Sequence, residues 1–363
     1  MEKINIASKL VSLRRELGIT QDKLATHLGV TKASVSKWET GSSLPDVLLL
    51  PKIAAFYGVS VDELLGYVTE LDKKEIKSIH SRLSEAFFDM PFSKAFAMCE
   101  EVVRDNYSCF PMLLKVAEIY INNFDRAVSS NKKKELLDRV VKLTGRIQEF
   151  SSDDVIRSQA KTMEAVVLLT RGEGDKVLEM YGEECQPLEM VGDIVSRAMC
   201  LKGEREKAKE TMQIYAYQYL IALINELSNL IPLYPDDFPM QEEIVRRINI
   251  IYEAFNAKHL NPNPLAVTYY TIAQNYCMAG NMEKALEYVE EYFKLKPYFK
   301  VLGLRGDEFF NKIDRWLEKN TVVPRSQKDI MVRFETSISE NPIFKVLEET
   351  EDYKGIKEKY KDA

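Results

Sequence analysis

The stretch from Thr20 to Glu39 constrains this chain more than any other. It spells two short helices joined by a turn that suits glycine. Thr20 is placed as an N-cap whose side-chain oxygen can accept a first-turn N–H, and Asp22 falls in the positive first turn of a helix read from Gln21 to Leu28. Gly29 follows where the chain must reverse sharply, a task suited to positive φ. Thr31 caps the next helix, which runs through Trp38 or Glu39 and is stopped by Gly41. The flanks are built in the same way. Upstream, Ile6, Leu10, Arg14 and Leu17 form one stripe of a first helix that Gly18 ends. Downstream, Leu44-Pro45 opens a loop, and a fourth helix carries Leu50, Ile53, Ala54 and Tyr57 before Gly58. Ser60-Val61-Asp62-Glu63 is a capping box that starts a fifth, very short helix. Five short helices within residues 1–66 imply a small all-α domain.

The run QDKLATHLGVTKASVSKWE, Gln21 to Glu39, resembles the helix-turn-helix of the lambdoid repressor/Cro family, also called the xenobiotic-response-element family. The likeness extends from about Ile6 to Leu65 and includes Thr20-Gln21, the Trp38-Glu39-x-Gly41 ending and Leu50-Pro51. Small Ala25 fits a close helix crossing, and Val35 and Trp38 face inward. The resemblance implies binding to double-stranded DNA, with the N-terminal part of the second helix of the pair meeting base edges in a major groove about 12 Å wide. By that likeness Lys32, Ala33, Ser34 and Lys37 point at bases. Lysine can donate to guanine, serine to either partner, and Ala33 can touch a thymine methyl. Gln21 and Thr31, each at a helix start, are placed for phosphates, with Thr40 and Ser42 as further phosphate candidates. The family often pairs a first-helix arginine with the glutamate ending the reading helix, which here gives Arg14 and Glu39. The plainer alternative makes Lys32 and Lys37 ordinary solvated charges. Trp38 and His27 read as structural.

At 363 residues the chain exceeds what one hydrophobic core serves, so a second unit, residues 67–363, is expected behind the head. Charge separates the two. Up to Gly66 there are eight Lys/Arg against seven Asp/Glu, and beyond it 42 against 49. An acidic body repels a duplex, so only part of the head can admit one. Five cysteines without a CxxC pair argue against a disulfide framework or a zinc cluster and for a reducing compartment. With no apolar run of membrane-spanning length and no signal-peptide start, the expectation is a cytoplasmic protein that does not engage a membrane.

The body reads as almost wholly helical. Segments fall near 72–89, 93–106, 110–124, 131–149, 153–171, 187–202 and 204–231, and then near 239–258, 264–279, 282–295, 307–319, 326–339 and 342–360. Residues 266–297, AVTYYTIAQNYCMAGNMEKALEYVEEYFKLKP, resemble a tetratricopeptide repeat. Tyr269, Ile272, Ala273 and Tyr276 lie on its first helix, Gly280 at the turn, Ala285 and Val289 on the second, and Pro297 at the end. Tyr292 departs from the family, which prefers a small residue there. Leu113, Val116, Ala117 and Tyr120 make a weaker copy, and Val195, Ser196, Gly203 and Ala208 another. Spacing is irregular, so the expected fold is all-α: a five-helix repressor-like helix-turn-helix domain followed by a tetratricopeptide-like α-solenoid of five or six degenerate pairs with a C-terminal cap.

Solenoids of this type bind peptides or proteins on the concave face. Mapping that face through the repeat gives Tyr270, Gln274, Cys277 and Met278, and by extension Glu118 and Asn122, then Asp193 and Arg197. Asn122, Asn225, Asn229 and Asn275 sit inside expected helices, where a carboxamide can grip a peptide backbone, although each can equally face solvent or bond its own helix. His27, His80 and His259 lack spaced partners, and no HExxH, GxSxG or P-loop pattern occurs, so no enzyme activity, metal or cofactor is expected. A repressor-like head on a degenerate repeat body resembles the peptide-pheromone-sensing regulators of Gram-positive bacteria and their phages. That likeness implies a homodimer whose DNA binding answers to a peptide or protein ligand. The rival reading is a DNA-tethered scaffold whose body docks a partner protein without a small effector.

Overall fold

A computed structural model describes residues 6–66, 71–127, 129–185, 187–300, 303–320 and 327–361. The head holds α1 (Ile6–Glu16), α2 (Gln21–Leu28), α3 (Lys32–Glu39), α4 (Leu50–Tyr57) and α5 (Val61–Leu65). Helices leave their first N–H groups without intrahelical partners, and here side chains supply them. Thr20 accepts from the Lys23 amide at 3.3 Å and Thr31 from the Ser34 amide at 3.1 Å. Ser60 and Glu63 cap α5 reciprocally, at 3.1 and 2.8 Å. Gly29 turns at φ 69°, which lets the Val30 amide reach the Ala25 carbonyl and close α2.

One inward position differs from the sequence reading. Leu17 is 54% exposed. The helix α1 ends at Glu16, and Gly18, at φ 63°, has already turned the chain, so Leu13 joins Ile6 and Leu10 in the core instead. Ala25, Val35 and Trp38 are buried where α2 meets α3, and Ile53 and Leu64 complete the cluster from α4 and α5.

The body continues with α6 (Lys73–Asp89), α7 (Phe92–Asp105), α8 (Phe110–Asn122), α9 (Ser130–Phe150), α10 (Asp154–Thr170) and α11 (Gly174–Tyr181). It then runs through α12 (Gly192–Leu201), α13 (Arg205–Leu230), α14 (Phe238–Ala254), α15 (Ala257–Leu260), α16 (Asn263–Met278) and α17 (Met282–Phe293). Last come α18 (Lys296–Phe299), α19 (Asp314–Asn320), α20 (Gln327–Glu340), α21 (Lys345–Glu348) and α22 (Glu351–Lys359). Helices adjacent in sequence pack side by side, as α8 on α9, α9 on α10, α12 on α13 and α16 on α17. There is no strand among the described residues, and no helix there is long and apolar enough to cross a membrane. The fold is all-α.

The clearest repeat is built on its small residues. Ala273 and Ala285 are fully buried between α16 and α17, and Gly280 makes the turn at φ 77°. Tyr292, where the family prefers a small side chain, stacks on Phe334 of α20 at 4.3 Å and donates to the Phe334 carbonyl at 3.1 Å. Leu113, Val116, Ala117 and Tyr120 are likewise buried on α8. In the third copy Ser196 is buried and donates to the Ala208 carbonyl at 3.4 Å, but Val195 is 39% exposed.

Several helix boundaries differ from the expectation, and some of them have a local reason. A helix α11 lies where none was expected, with no buried residue to mark it. The segment expected from 187 is helical only from Gly192. Asn256, at φ 49°, breaks the segment expected over 239–258 into α14 and α15. The segment 307–319 is helical only from Asp314, because the Asp307 carboxylate instead takes the amides of Phe309 and Phe310 at 3.0 and 2.7 Å in a turn. The segment 342–360 is divided, since Asn341 caps a single 3-10 turn and Thr350 caps α22 anew.

Candidate nucleic-acid interface

The candidate interface is assembled around the last turn of α3. Glu39 is 4% exposed at its side chain and accepts from three groups on two other elements. Arg14 of α1 donates from Nε at 2.6 Å and from Nη2 at 2.9 Å, the parallel two-point geometry that suits guanidinium and carboxylate. Gln21, the first residue of α2, donates from Nε2 at 3.0 Å. The third guanidinium edge, Nη1 of Arg14, donates to the Ile19 carbonyl at 2.9 Å. Burial alone would raise the Glu39 carboxyl, but the hydrogen bonds from Arg14 and Gln21 outweigh it and hold the group below its ordinary value. In this way α3 is tied to α1 and to the start of α2 at one point.

One face of α3 is turned outward. Lys32, Ala33 and Lys37 are exposed and Ser34 is half-buried. Lys32 reaches Asp22 at 2.9 Å across the turn, whereas Lys37 has no ion-pair partner among the described residues. The hydroxyl of Ser34 lies 2.9 Å from that of the capping Thr31. Thr40 and Ser42 follow α3, their hydroxyls 2.9 Å apart, with Thr40 also donating to the Lys37 carbonyl. Gln21 and Thr31 are thus both engaged within the head, Gln21 by Glu39 and Thr31 as a cap. His27 packs its ring 4.4 Å from Phe56 and Trp38 is buried.

The residues singled out in the body lie in separate surroundings. On α8, Glu118 pairs with Lys115 at 2.6 Å, and Asn122 donates to the Glu118 carbonyl at 2.9 Å. On α12, Asp193 and Arg197 face each other at 3.6 Å, both exposed. On α16, Gln274 is half-buried, and Tyr270 is covered by the C-terminal segment. Its hydroxyl accepts from Asn341 at 2.7 Å and its ring lies 5.3 Å from Phe344. Cys277, read from the repeat as facing the groove, is instead a core residue at 6% exposure, while Met278 is 60% exposed. Asn225 and Asn229 are exposed, and Asn275 donates to Gln241 at 3.1 Å. His80 is fully buried, and burial followed by the nearby Lys115 charge pushes it down to about 4, leaving a neutral core imidazole.

One feature of the body had no sequence signal. An open cleft of about 420 Å³ lies where α9, α10 and α11 meet, lined by Val141, Glu164, Leu168, Arg171, Lys176 and Met180 among others. It depends on α11, which the apolar pattern did not reveal. No group of side chains suited to a metal ion occurs among the described residues.

Residues 10–64 match the helix-turn-helix family, and the head of this chain is a helix-turn-helix domain of the repressor-like class. The chain is similar to the HTH-type transcriptional activator BcrR of Enterococcus faecalis, 42% identical over 58 residues, which are 16% of this chain and 28% of that protein. It is also similar to the cryptic phage CTXphi transcriptional repressor RstR of Vibrio cholerae, 35% identical over 63 residues, or 17% of this chain and 56% of that protein. The chain therefore spans between about a quarter and just over half of the length of these two relatives, and the shared part is about the size of the head. Among solved structures it is similar to the apo form of ComR from S. thermophilus, at 17% identity and a TM-score of 0.27, covering 81% of this chain and 94% of that one. It is similar too to Bacillus thuringiensis PlcR in complex with the peptide PapR7 and DNA, at 14% identity and a TM-score of 0.30, covering 81% and 96%.

Proposed function

We propose that this chain is a sequence-specific DNA-binding transcription regulator of the cytoplasm, with residues 1–66 reading duplex DNA and residues 67–363 sensing a ligand and holding a homodimer. The observation that carries the reading is the mounting of α3. Glu39 fixes its last turn to Arg14 and Gln21, while Lys32 and Ala33 in the first turn and Lys37 in the last stand exposed along its outward face. A helix fixed from behind with one face left exposed suits a major groove. Lys32, Ala33, Ser34 and Lys37 then meet base edges, and Gln21, Thr31, Thr40 and Ser42 the phosphates. One such helix offers few contacts, so two heads on half-sites about one helical turn apart are needed for physiological specificity.

For the body, a short peptide or protein ligand is the reading we favour. The α9–α11 cleft supports it, since a lining that combines Val141, Leu168 and Met180 with Glu164, Arg171 and Lys176 suits a segment carrying apolar and charged side chains. The repeat mapping adds Glu118, Asn122, Asp193, Arg197 and Gln274, with Tyr270 already engaged by Asn341. A second reading, a body that docks a partner protein without a small effector, is favoured by exposed aliphatic side chains: Leu188 at 72%, Ile194 at 65% and Leu201 at 91%. Selection of duplexes from a randomised pool by the full chain tests the DNA claim. Enrichment of two related half-sites is expected, and recovery of the pool unchanged would contradict it. A short peptide that raises the melting temperature at micromolar concentration supports sensing, whereas a stable protein partner in pull-down supports docking.

A further inference from the structure

The two halves of the body touch through charges. The buried apolar residues from Ile76 to Val167 form one cluster and those from Tyr217 to Tyr353 another, with no side chain common to both. The helices between them bury almost nothing, no residue of α11 and only Gly192 and Ser196 of α12. Yet residues about two hundred positions apart meet. Arg126, in the 3-10 turn Phe124–Arg126 after α8, donates from Nη1 to the Phe87 carbonyl at 2.5 Å and from Nη2 to Asp329 of α20 at 2.7 Å. Arg333, one helical turn beyond Asp329, reaches Asp329 at 3.1 Å and Asp125 at 2.6 Å. Lys328 lies 5.1 Å over the Phe88 ring, and Arg126 lies 5.5 Å from the same ring.

Charge here does the joining that apolar packing does elsewhere in the fold. Asp329 is 3% exposed, so its carboxylate relies on charged partners, Arg126 and Arg333 among them, and removing one leaves a buried charge less well met. Burial raises the Asp329 carboxyl and Arg126 opposes the rise. The cluster is not saturated even so, because the Nε of Arg126 is buried without a hydrogen-bond partner. Its outer members, Arg333 at 33% and Asp125 at 47% side-chain exposure, are open to screening by salt. At the other side of the junction, Gly182 ends α11 at φ 82° and ψ 167°, a conformation that glycine alone adopts readily. Two cores joined by a polar contact and a glycine are expected to move relative to one another.

We propose that Asp125, Arg126, Asp329 and Arg333 form an ionic clasp that holds the two halves of the body in one arrangement, with the α11–α12 junction at Gly182 as its pivot. Opening the clasp separates the halves without melting either core. Any anion or cation that competes for it, the charged end of a ligand included, shifts the arrangement. The clasp is a property of the chain alone and holds or fails independently of which ligand, if any, the body takes.

The test compares the full-length protein with Arg126→Glu and with the charge-swapped pair Arg126→Glu/Asp329→Arg, by small-angle X-ray scattering and amide hydrogen exchange at low salt. Arg126→Glu is expected to raise the radius of gyration and to speed exchange in α20 about tenfold, equivalent to about 1.4 kcal/mol of lost protection. Protection of α16 and α17 stays unchanged, and the swapped pair restores the wild-type values. Where Arg126→Glu fails to fold, Asp329→Asn, which keeps shape and volume on α20, takes its place with the same expected outcome. A folded single variant with wild-type scattering and wild-type exchange in α20 would overturn the clasp.

Discussion

Arg14 and Glu39, twenty-five residues apart, meet through two parallel hydrogen bonds of 2.6 and 2.9 Å at the junction of α1 with the last turn of α3. Removing one member leaves the other poorly satisfied, a loss that buried pairs feel at about 3–5 kcal/mol. Arg14 keeps some access to water at 17% side-chain exposure, so Glu39→Ala belongs near the lower end. Trp38, buried beside the pair, reports on it directly. In a full chain whose other tryptophan, Trp316, is replaced by phenylalanine, denaturant unfolding followed at Trp38 should move to lower denaturant. A Glu39→Ala chain with a wild-type midpoint would contradict this.

The same pair sets an acid dependence. The folded Glu39 carboxyl lies below its ordinary value of 4.5, so the folded state binds its proton less readily than the unfolded chain does. Its contribution is therefore fully present above 4.5 and is lost as pH falls through the lower, folded value. Between about pH 6 and about pH 3 the stability lead of wild type over Glu39→Gln, read at Trp38, should shrink. A lead that stays constant or widens on acidification would show that the carboxylate is not the stabilising form.

In the second core, Tyr292 fills the space that the tetratricopeptide repeat, which this segment resembles, leaves to a small residue. Tyr292→Ala removes a buried aromatic ring stacked on Phe334, a change that costs about 3–5 kcal/mol. Tyr292→Phe keeps the ring and loses only the hydroxyl contacts to the Phe334 carbonyl and Ser337, a loss of about 1 kcal/mol. Unfolding followed at Trp316, which packs against the same core, measures both. Equal losses for the two variants would mean that the hydroxyl, and not the ring, secures this position.

These three cases show where the sequence could and could not be read. In the head the deciding signals are local. Thr20, Thr31 and Ser60 each cap an amide within three residues, and Gly29 needs no distant partner to turn the chain. At Leu17 the stripe continues in sequence after the helix has stopped at Glu16. In the body the small residues Ala273 and Ala285 announced one helix pair. The breaks at Asn256 and Thr350 did not announce themselves, because a left-handed asparagine and an N-cap inside an amphipathic run leave its periodicity intact. The surroundings of Tyr270 are set by Asn341, 71 residues away, which no local pattern reveals. The contacts of Arg126 with Asp329 span 203 residues and lie beyond any local pattern.

A single reading helix per head offers too few contacts for physiological specificity, which bears on assembly. The body is expected to hold two chains together at micromolar concentration, and sedimentation should give the mass of a dimer. A monomer that retains full affinity for a two-half-site duplex would contradict both the dimer and the need for two heads.

The central claim is that α3 reads base sequence, and Lys37 tests it most directly, since it is exposed on α3 and makes no ion pair among the described residues. The measurement is the base preference of full-length wild type, Lys37→Ala and Gln21→Ala across a randomised operator library at fixed salt. Lys37→Ala should lose about 1–3 kcal/mol of specific affinity and relax the preference at one position in each half-site. Gln21→Ala should weaken all sequences more evenly, as expected for a phosphate contact. If Lys37→Ala retains the wild-type preference at every position, Lys37 is not part of the readout. If wild type itself shows no preference, α3 does not read DNA.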